Sequence, residues 1–184
     1  MKKKMIALIL GIILALSSGC GERSAASRLT DALKDAGFMY EEDFNAAYYG
    51  GRFETAEQMY EQLCRDGVSG LIVPVNDEKA CPGAAEYSAY ELSGIYLDAG
   101  SLFFPSAARL TLAEFESTAA AESFFRQSRE ELLSAENEPA EDTQNRLCVM
   151  TTAGRTLLSR NGKTVLIISG EDERAFAAAE RIGY

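Results

Sequence analysis

The chain has no histidine and no tryptophan among its 184 residues. Without imidazole, neither a Ser-His-Asp nor a Cys-His relay can be assembled, and no zinc site can take a histidine ligand. A tryptophan platform for sugars is excluded as well. Basic residues are few: 18 Lys and Arg stand against 28 Asp and Glu, a formal charge of −10. Phosphate recognition needs a basic footprint, so nucleic acid is not expected as a partner. The glycines Gly50, Gly51, Gly67 and Gly70 do not form a Gly-x-Gly-x-x-Gly phosphate loop, and no Cys-x-x-Cys pair occurs. No cofactor is expected. What is present is 47% apolar residues, enough for a packed core in a chain whose length suggests one domain.

The N-terminus carries the strongest signal. Lys2, Lys3 and Lys4 precede an unbroken apolar and glycine run from Met5 to Leu16, followed by Ser17-Ser18-Gly19-Cys20. A basic start, a short apolar stretch and small residues are the parts of a secretory signal peptide. The run is too short for a comfortable membrane span, which takes about 20 apolar residues. The segment Leu16-Ser17-Ser18-Gly19-Cys20-Gly21 resembles the lipobox of bacterial lipoproteins, with Ser17 in place of the usual leucine three residues before the cysteine. That resemblance implies a signal peptide over 1–19, cleavage between Gly19 and Cys20, and a diacylglycerol on the Cys20 thiol. It also implies a place at the outer side of the cytoplasmic membrane. Two acyl chains anchor stably where one is marginal. Cleavage would remove Lys2, Lys3 and Lys4, leaving 15 basic against 28 acidic residues, a charge of −13. Anionic headgroups repel such a body. Residues 20–26 read as lipidated cysteine and short tether, and 27–184 as one folded domain.

Beyond Cys20 lie Cys64, Cys81 and Cys148. An extracytoplasmic compartment permits disulfides. A Cys64–Cys81 bridge is disfavoured, because the intervening strand carries the chain about 25 Å away at roughly 3.3 Å per residue. Unpaired thiols are the simpler expectation, with the pairing left open.

The body mixes helix and strand. Leu29, Ala32, Leu33 and Ala36 share one helical face, closed by Gly37. Tyr48-Tyr49-Gly50-Gly51 reads as an aromatic-rich turn. Thr55 and Gln58 form a capping box ahead of Ala56, Met59, Tyr60 and Leu63, with Gly67 as the stop. Residues 68–75 read as a buried strand. Tyr87, Tyr90 and Ser93 or Gly94 fit helical spacing, and 95–104 fits one or two short strands. Residues 109–116 alternate as a strand does. Ser117 or Thr118 caps a helix bearing Ala121, Phe124, Phe125, Ser128 and Leu132. Residues 134–145 are acidic, contain Pro139 and read as an exposed loop. Then come a strand at 146–152, a hairpin of 156–160 and 163–169 about Asn161-Gly162, and a helix over 171–182. The fold class expected is α+β: a mostly antiparallel sheet with helices on one face, a ferredoxin-like split being one arrangement open to the C-terminal half. That half resembles small lipoproteins of Gram-positive bacteria in pattern only. Residues 56–80 resemble the helix-strand unit of periplasmic sugar-binding proteins, whose two lobes would need a longer chain.

Candidate chemistry is sparse. Glu41, Glu42, Asp43, Glu114 and Glu116 are carboxylates that a histidine-free hydrolase could use. The cluster from Glu136 to Asp142 offers oxygen ligands for calcium, without the loop spacing of an EF-hand. Tyrosines are the remaining hint, in two clusters: Tyr40, Tyr48, Tyr49 and Tyr60 with Phe53, then Tyr87, Tyr90 and Tyr96. Tyr48 and Tyr49 are the candidate binding surface, since tyrosine joins an apolar body to a polar tip. The function expected is a lipid-anchored binding or accessory module at the cell envelope, engaging a protein or small ligand. A carboxylate hydrolase and a transporter's solute-binding component are the alternatives. A binding module should show a tyrosine-rich patch without a cleft, an enzyme two converging carboxylates, a solute-binding protein a cleft between lobes.

Overall fold

The computed structural model describes residues 23–76, 80–135, 137–152 and 154–184. The signal peptide, Gly19 and Cys20 lie outside the described residues, as does Glu136. Helix α1 (Ala25–Asp35) begins where the Ser24 hydroxyl accepts the Ser27 N–H, so Ala25 and Ala26 belong to the body rather than to the tether. It buries Leu29, Ala32 and Leu33, the face expected from their spacing. Gly37, at φ +90°, turns the chain into β1 (Phe38–Tyr40). A short helix α2 (Glu41–Tyr48) follows, placing three carboxylates in its first turn, where the dipole favours them. The turn expected from Tyr48 to Gly51 therefore starts later, at Tyr49, with Gly50 and Gly51 both left-handed.

Helix α3 (Ala56–Asp66) starts on Thr55, which accepts the Gln58 N–H, while Gln58 reaches back to the Glu54 N–H. It ends in a Schellman motif: Gly67 N–H bonds to Cys64 O and Val68 N–H to Leu63 O. That cap takes Val68 out of the following strand, so β2 (Gly70–Val75) begins two residues later than its apolar run suggests. Next come β3 (Glu86–Gly94), a small hairpin of β4 (Tyr96–Asp98) and β5 (Ser101–Phe103), and β6 (Ser106–Glu114). The helical reading of Tyr87 and Tyr90 does not hold. β3 lies between β2 and β6 with Ala89, Tyr90, Leu92 and Ser93 all buried, and a strand buried on both faces loses the alternation that identifies it.

Helix α4 (Thr118–Ser134), capped by Ser117, leads to β7 (Pro139–Asp142), β8 (Arg146–Thr151), β9 (Gly154–Asn161) and β10 (Thr164–Gly170). The acidic segment read as a loop thus contains an edge strand. Proline is tolerated there because an edge strand need not donate on its open side. The β9–β10 turn pairs Asn161 with Thr164, leaving Gly162 and Lys163 as the loop. Only Gly162 is left-handed (φ +59°), which fits a type II′ turn. Helix α5 (Glu173–Arg181) completes the chain.

Among the described residues the main sheet has eight strands in the order β1-β2-β3-β6-β10-β9-β8-β7, antiparallel except for the β1–β2 pair. The α+β class and the antiparallel character are as the sequence implies. The helices, however, divide between both faces. Helices α1 and α5 cover one, packing Leu29, Leu33 and Phe176 on Ile72, Leu92, Leu110, Leu166 and Ile168. On the other face α4 sets Ala121 and Phe125 over Leu147, Val149, Leu158 and Val165. Helices α2 and α3 set Phe44, Tyr48 and Leu63 over Leu71 beside it. Apolar residues alternating to both sides of the strands require this second layer, since either face left wet would expose several leucines and valines. The C-terminal half also departs from a ferredoxin-like split: β7 to β10 form a meander that closes back on β6.

Candidate functional site

The sheet has two unlike ends. At one, Glu86, Glu114 and Thr164 are in register, and residues Ser24 to Ala26 pack beside them. At the other, Gly70 pairs with Gly94, Ser93 with Ser106, and Gly170 with Ala108. An open groove of about 890 Å³ occupies this second end, bounded by Tyr60, Tyr96, Arg109, Ser169, Glu171 and Arg174 among others.

Its floor depends on Gly170. At φ +146° it turns the end of β10, and a Cβ there would sit 2.5 Å from Ala108 Cα. The turn lets Glu171 and Asp172 both donate their N–H groups to Ala107 O, at 3.0 and 3.3 Å. Asp172 then caps α5, accepting the Arg174 N–H at 3.0 Å. The Arg174 guanidinium grips the same carboxylate with Nε at 2.9 Å and Nη2 at 2.5 Å, donates to the Ser69 hydroxyl, and lies 4.5 Å over the Phe38 ring. Burial would raise the Asp172 carboxyl, but the Arg174 hydrogen bonds and charge outweigh it and hold it below the usual range. Arg174 is correspondingly raised, chiefly by its bond to Asp172. Arg174 is therefore a strut joining α5 to the loop before β2.

The rim is aromatic. Ala99 and Gly100, at φ +46° and +76°, close the β4–β5 hairpin with the two left-handed residues of a type I′ turn. Tyr96 stacks on Phe103 with centroids 5.5 Å apart and planes at 26°, and the two rings are 50% and 45% exposed. The Tyr96 ring lies across Gly94, where a Cβ would come 3.1 Å from Cζ. The ring is thus held at the groove mouth with about half of the residue exposed.

The residues singled out in the sequence fall elsewhere. Tyr48 is a correction: it is 5% exposed and packs in the core beside Phe44 and Phe53. Its hydroxyl donates to Asp66 Oδ2 at 2.6 Å, and burial, that bond and the Asp66 charge push its pKa up to about 12. The helical spacing of Phe44 and Tyr48 explains its place, a signal lost when the segment is read as a turn. Tyr49 is exposed and touches Phe44 edge-on, away from the groove. Tyr40 packs against Tyr90, and burial with the Tyr90 hydrogen bond raises its pKa to about 12.

The carboxylates Glu41, Glu42, Asp43, Glu114 and Glu116 are all exposed, and none lines the groove. In the acidic cluster, Asp142 is held by Arg129 at 2.9 and 2.6 Å. Among the described residues, no three His, Cys, Asp or Glu side chains are grouped to hold a metal ion. Cys64 and Cys148 are free thiols, exposed and buried respectively, and Cys81 is buried. No described helix is long and apolar enough to cross a membrane.

Of the groove residues, Tyr96 and Tyr60 stand in the sequence's tyrosine clusters. Arg109, Ser69 and the Asp172–Arg174 pair carry no motif, and Gly170 ahead of Glu-Asp-Glu-Arg is the one local cue to a shaped turn. Compared with known families, curated proteins and solved structures, the chain matches none.

Proposed function

We propose that this chain is a lipid-anchored, extracytoplasmic binding module whose ligand site is the groove at the Gly170 end of the sheet. The observation that carries the reading is the separation of entry and groove. The chain enters the body at the Glu114 end, where Ser24 to Ala26 lie, and the groove opens beyond Ser106. Eight residue steps along β6 lead from Ser106 to Glu114, roughly 26 Å at about 3.3 Å per step. A body held through Cys20 by so short a tether would keep its entry end at the membrane and turn the groove toward the cell exterior. A groove rather than a flat tyrosine patch would then do the binding. One lobe pair is not needed, because the cleft lies at the end of a single sheet.

The anchor is tested by metabolic labelling with an alkyne-bearing palmitate in a bacterial host, followed by membrane fractionation. The wild type should take up label and sediment with membranes, and Cys20→Ala should remain unlabelled. A wild type that stays unlabelled and soluble would remove the anchor, and with it the orientation.

A further inference from the structure

We propose that the groove and its aromatic rim take a basic, extended segment of a partner protein, in which Lys or Arg side chains alternate with apolar ones. This rests on the groove being the binding site and adds the kind of partner.

The charges left unanswered around the groove are acidic. Its arginines are committed, Arg174 to Asp172, Ser69 and Phe38, and Arg109 to a contact of its own. Glu173 lies 3.2 Å from Arg155, so it too is answered. Glu171 in the groove wall, Asp98 on β4 and Glu57 on α3 are exposed, and no described side chain bonds or pairs with any of them. Glu57 belongs to this rim: a Cβ on Gly100, at the hairpin tip, would lie 2.9 Å from its Oε1, and Tyr60, one helical turn on, lines the groove. Unanswered carboxylates around one groove attract a cationic ligand and repel an anionic one.

The hairpin adds apolar surface beside them. Its register pairs Leu97 with Leu102 and Tyr96 with Phe103. Successive residues of a strand point to opposite faces, so the two pairs lie on opposite sides. Leu102 packs on the core of Phe44 and Leu63, which leaves the aromatic pair on the outer side, 50% and 45% exposed. Asp98 and Ser101 share that outer side by the same alternation. Apolar rings next to carboxylates suit a partner that sets apolar side chains next to basic ones.

Other occupants fit less well. A second copy of the chain would bring the same carboxylates face to face. Anionic headgroups would repel them. A metal ion finds no group of three ligands among the described residues. A free polyamine would meet the carboxylates and leave the aromatic pair uncovered.

The test uses the full-length protein in non-ionic detergent micelles at about 0.15 M salt. Fluorescence anisotropy follows a dye-labelled peptide in which Lys alternates with Leu and Phe, and its counterpart with Glu in place of Lys. Saturable binding of the basic peptide is expected, and none of the acidic one. Tyr96→Ala with Phe103→Ala should weaken it about tenfold, and Glu57→Gln with Asp98→Asn about fivefold. Glu130→Gln with Glu131→Gln removes the same charge from α4, outside the groove, and should change affinity less than about twofold. Spermine should compete at least about tenfold more weakly than unlabelled peptide. The proposal is overturned if the basic peptide does not bind, if the acidic one binds as well, or if spermine competes equally. It is overturned too if the α4 pair weakens binding as much as the rim pair, or if loss of both rings leaves affinity unchanged. A photo-crosslinker at Ser106 in living cells separates the two levels. If the peptide fails while the crosslinker captures an envelope component, the groove stands and the kind of partner falls; if both fail, the groove reading falls too.

Discussion

The two ends of the central sheet are finished by opposite means. At the Thr164 end, Tyr184 is 3% exposed, and its hydroxyl shares a hydrogen bond with Thr164, which also bonds Asn161 O at 2.8 Å. Burial raises the Tyr184 pKa, outweighing the lowering effect of the Thr164 bond. That end is plugged by an aromatic ring whose polar tip is satisfied inside the protein. At the Gly170 end, backbone turns are braced by Ala107 O and by the Asp172–Arg174 pair, but Ser106, Arg109 and Glu171 face solvent. The same sheet thus packs an aromatic plug at one end and leaves an open groove at the other. Substitutions at the two ends should therefore separate stability from binding.

The largest effect on folding belongs to the plugged end. Tyr184→Ala should cost about 3–5 kcal/mol in urea denaturation, as aromatic truncations in cores do, and leave groove binding unchanged in whatever fraction stays folded. Gly170→Ala should cost about 1–3 kcal/mol, because its Cβ must push on the β6 backbone. Unlike Tyr184→Ala, it should also alter the groove, seen as amide shifts at Ala107 and Glu171. Asp172→Ala should cost about 2 kcal/mol through the lost cap and the stranded arginine, and Asp172→Asn less, since asparagine still caps. Because folding lowers the Asp172 pKa, its contribution is complete above the usual carboxylate value near 4 and is lost as pH falls through the lower folded value. Denaturation between about pH 2 and 5 should show a shallower acid-side decline in Asp172→Asn than in the wild type. Tyr96→Ala is the smallest for stability, within about 0.5 kcal/mol, because the ring is half exposed. A large loss of stability there would mean the hairpin is structural and blur the contrast between the ends.

Much of the framework is readable from residue pattern. The caps at Ser117 and Thr55, the stop at Gly67 and the hairpin around Gly162 are local devices, so a few neighbouring residues suffice to define them. The strand β3 escapes such a reading because it is buried on both faces, and β7 because its pairing with β8 is settled by a partner several residues on. The groove was the least legible part. Its pieces come from α3, the loop before β2, β6 and the start of α5, residues 60 to 174, and only the sheet order brings them together. Tyr48 shows the converse. A tyrosine beside another tyrosine and two glycines suggests a surface, yet helical phase with Phe44 turns it inward.

The contrast between the ends is tested most directly by placing a photo-crosslinking amino acid at Glu86 or at Ser106 in the full-length protein and illuminating living cells. The account predicts lipid adducts from position 86 and an envelope component, without lipid, from position 106. Lipid adducts from position 106, or the same products from both positions, would contradict it.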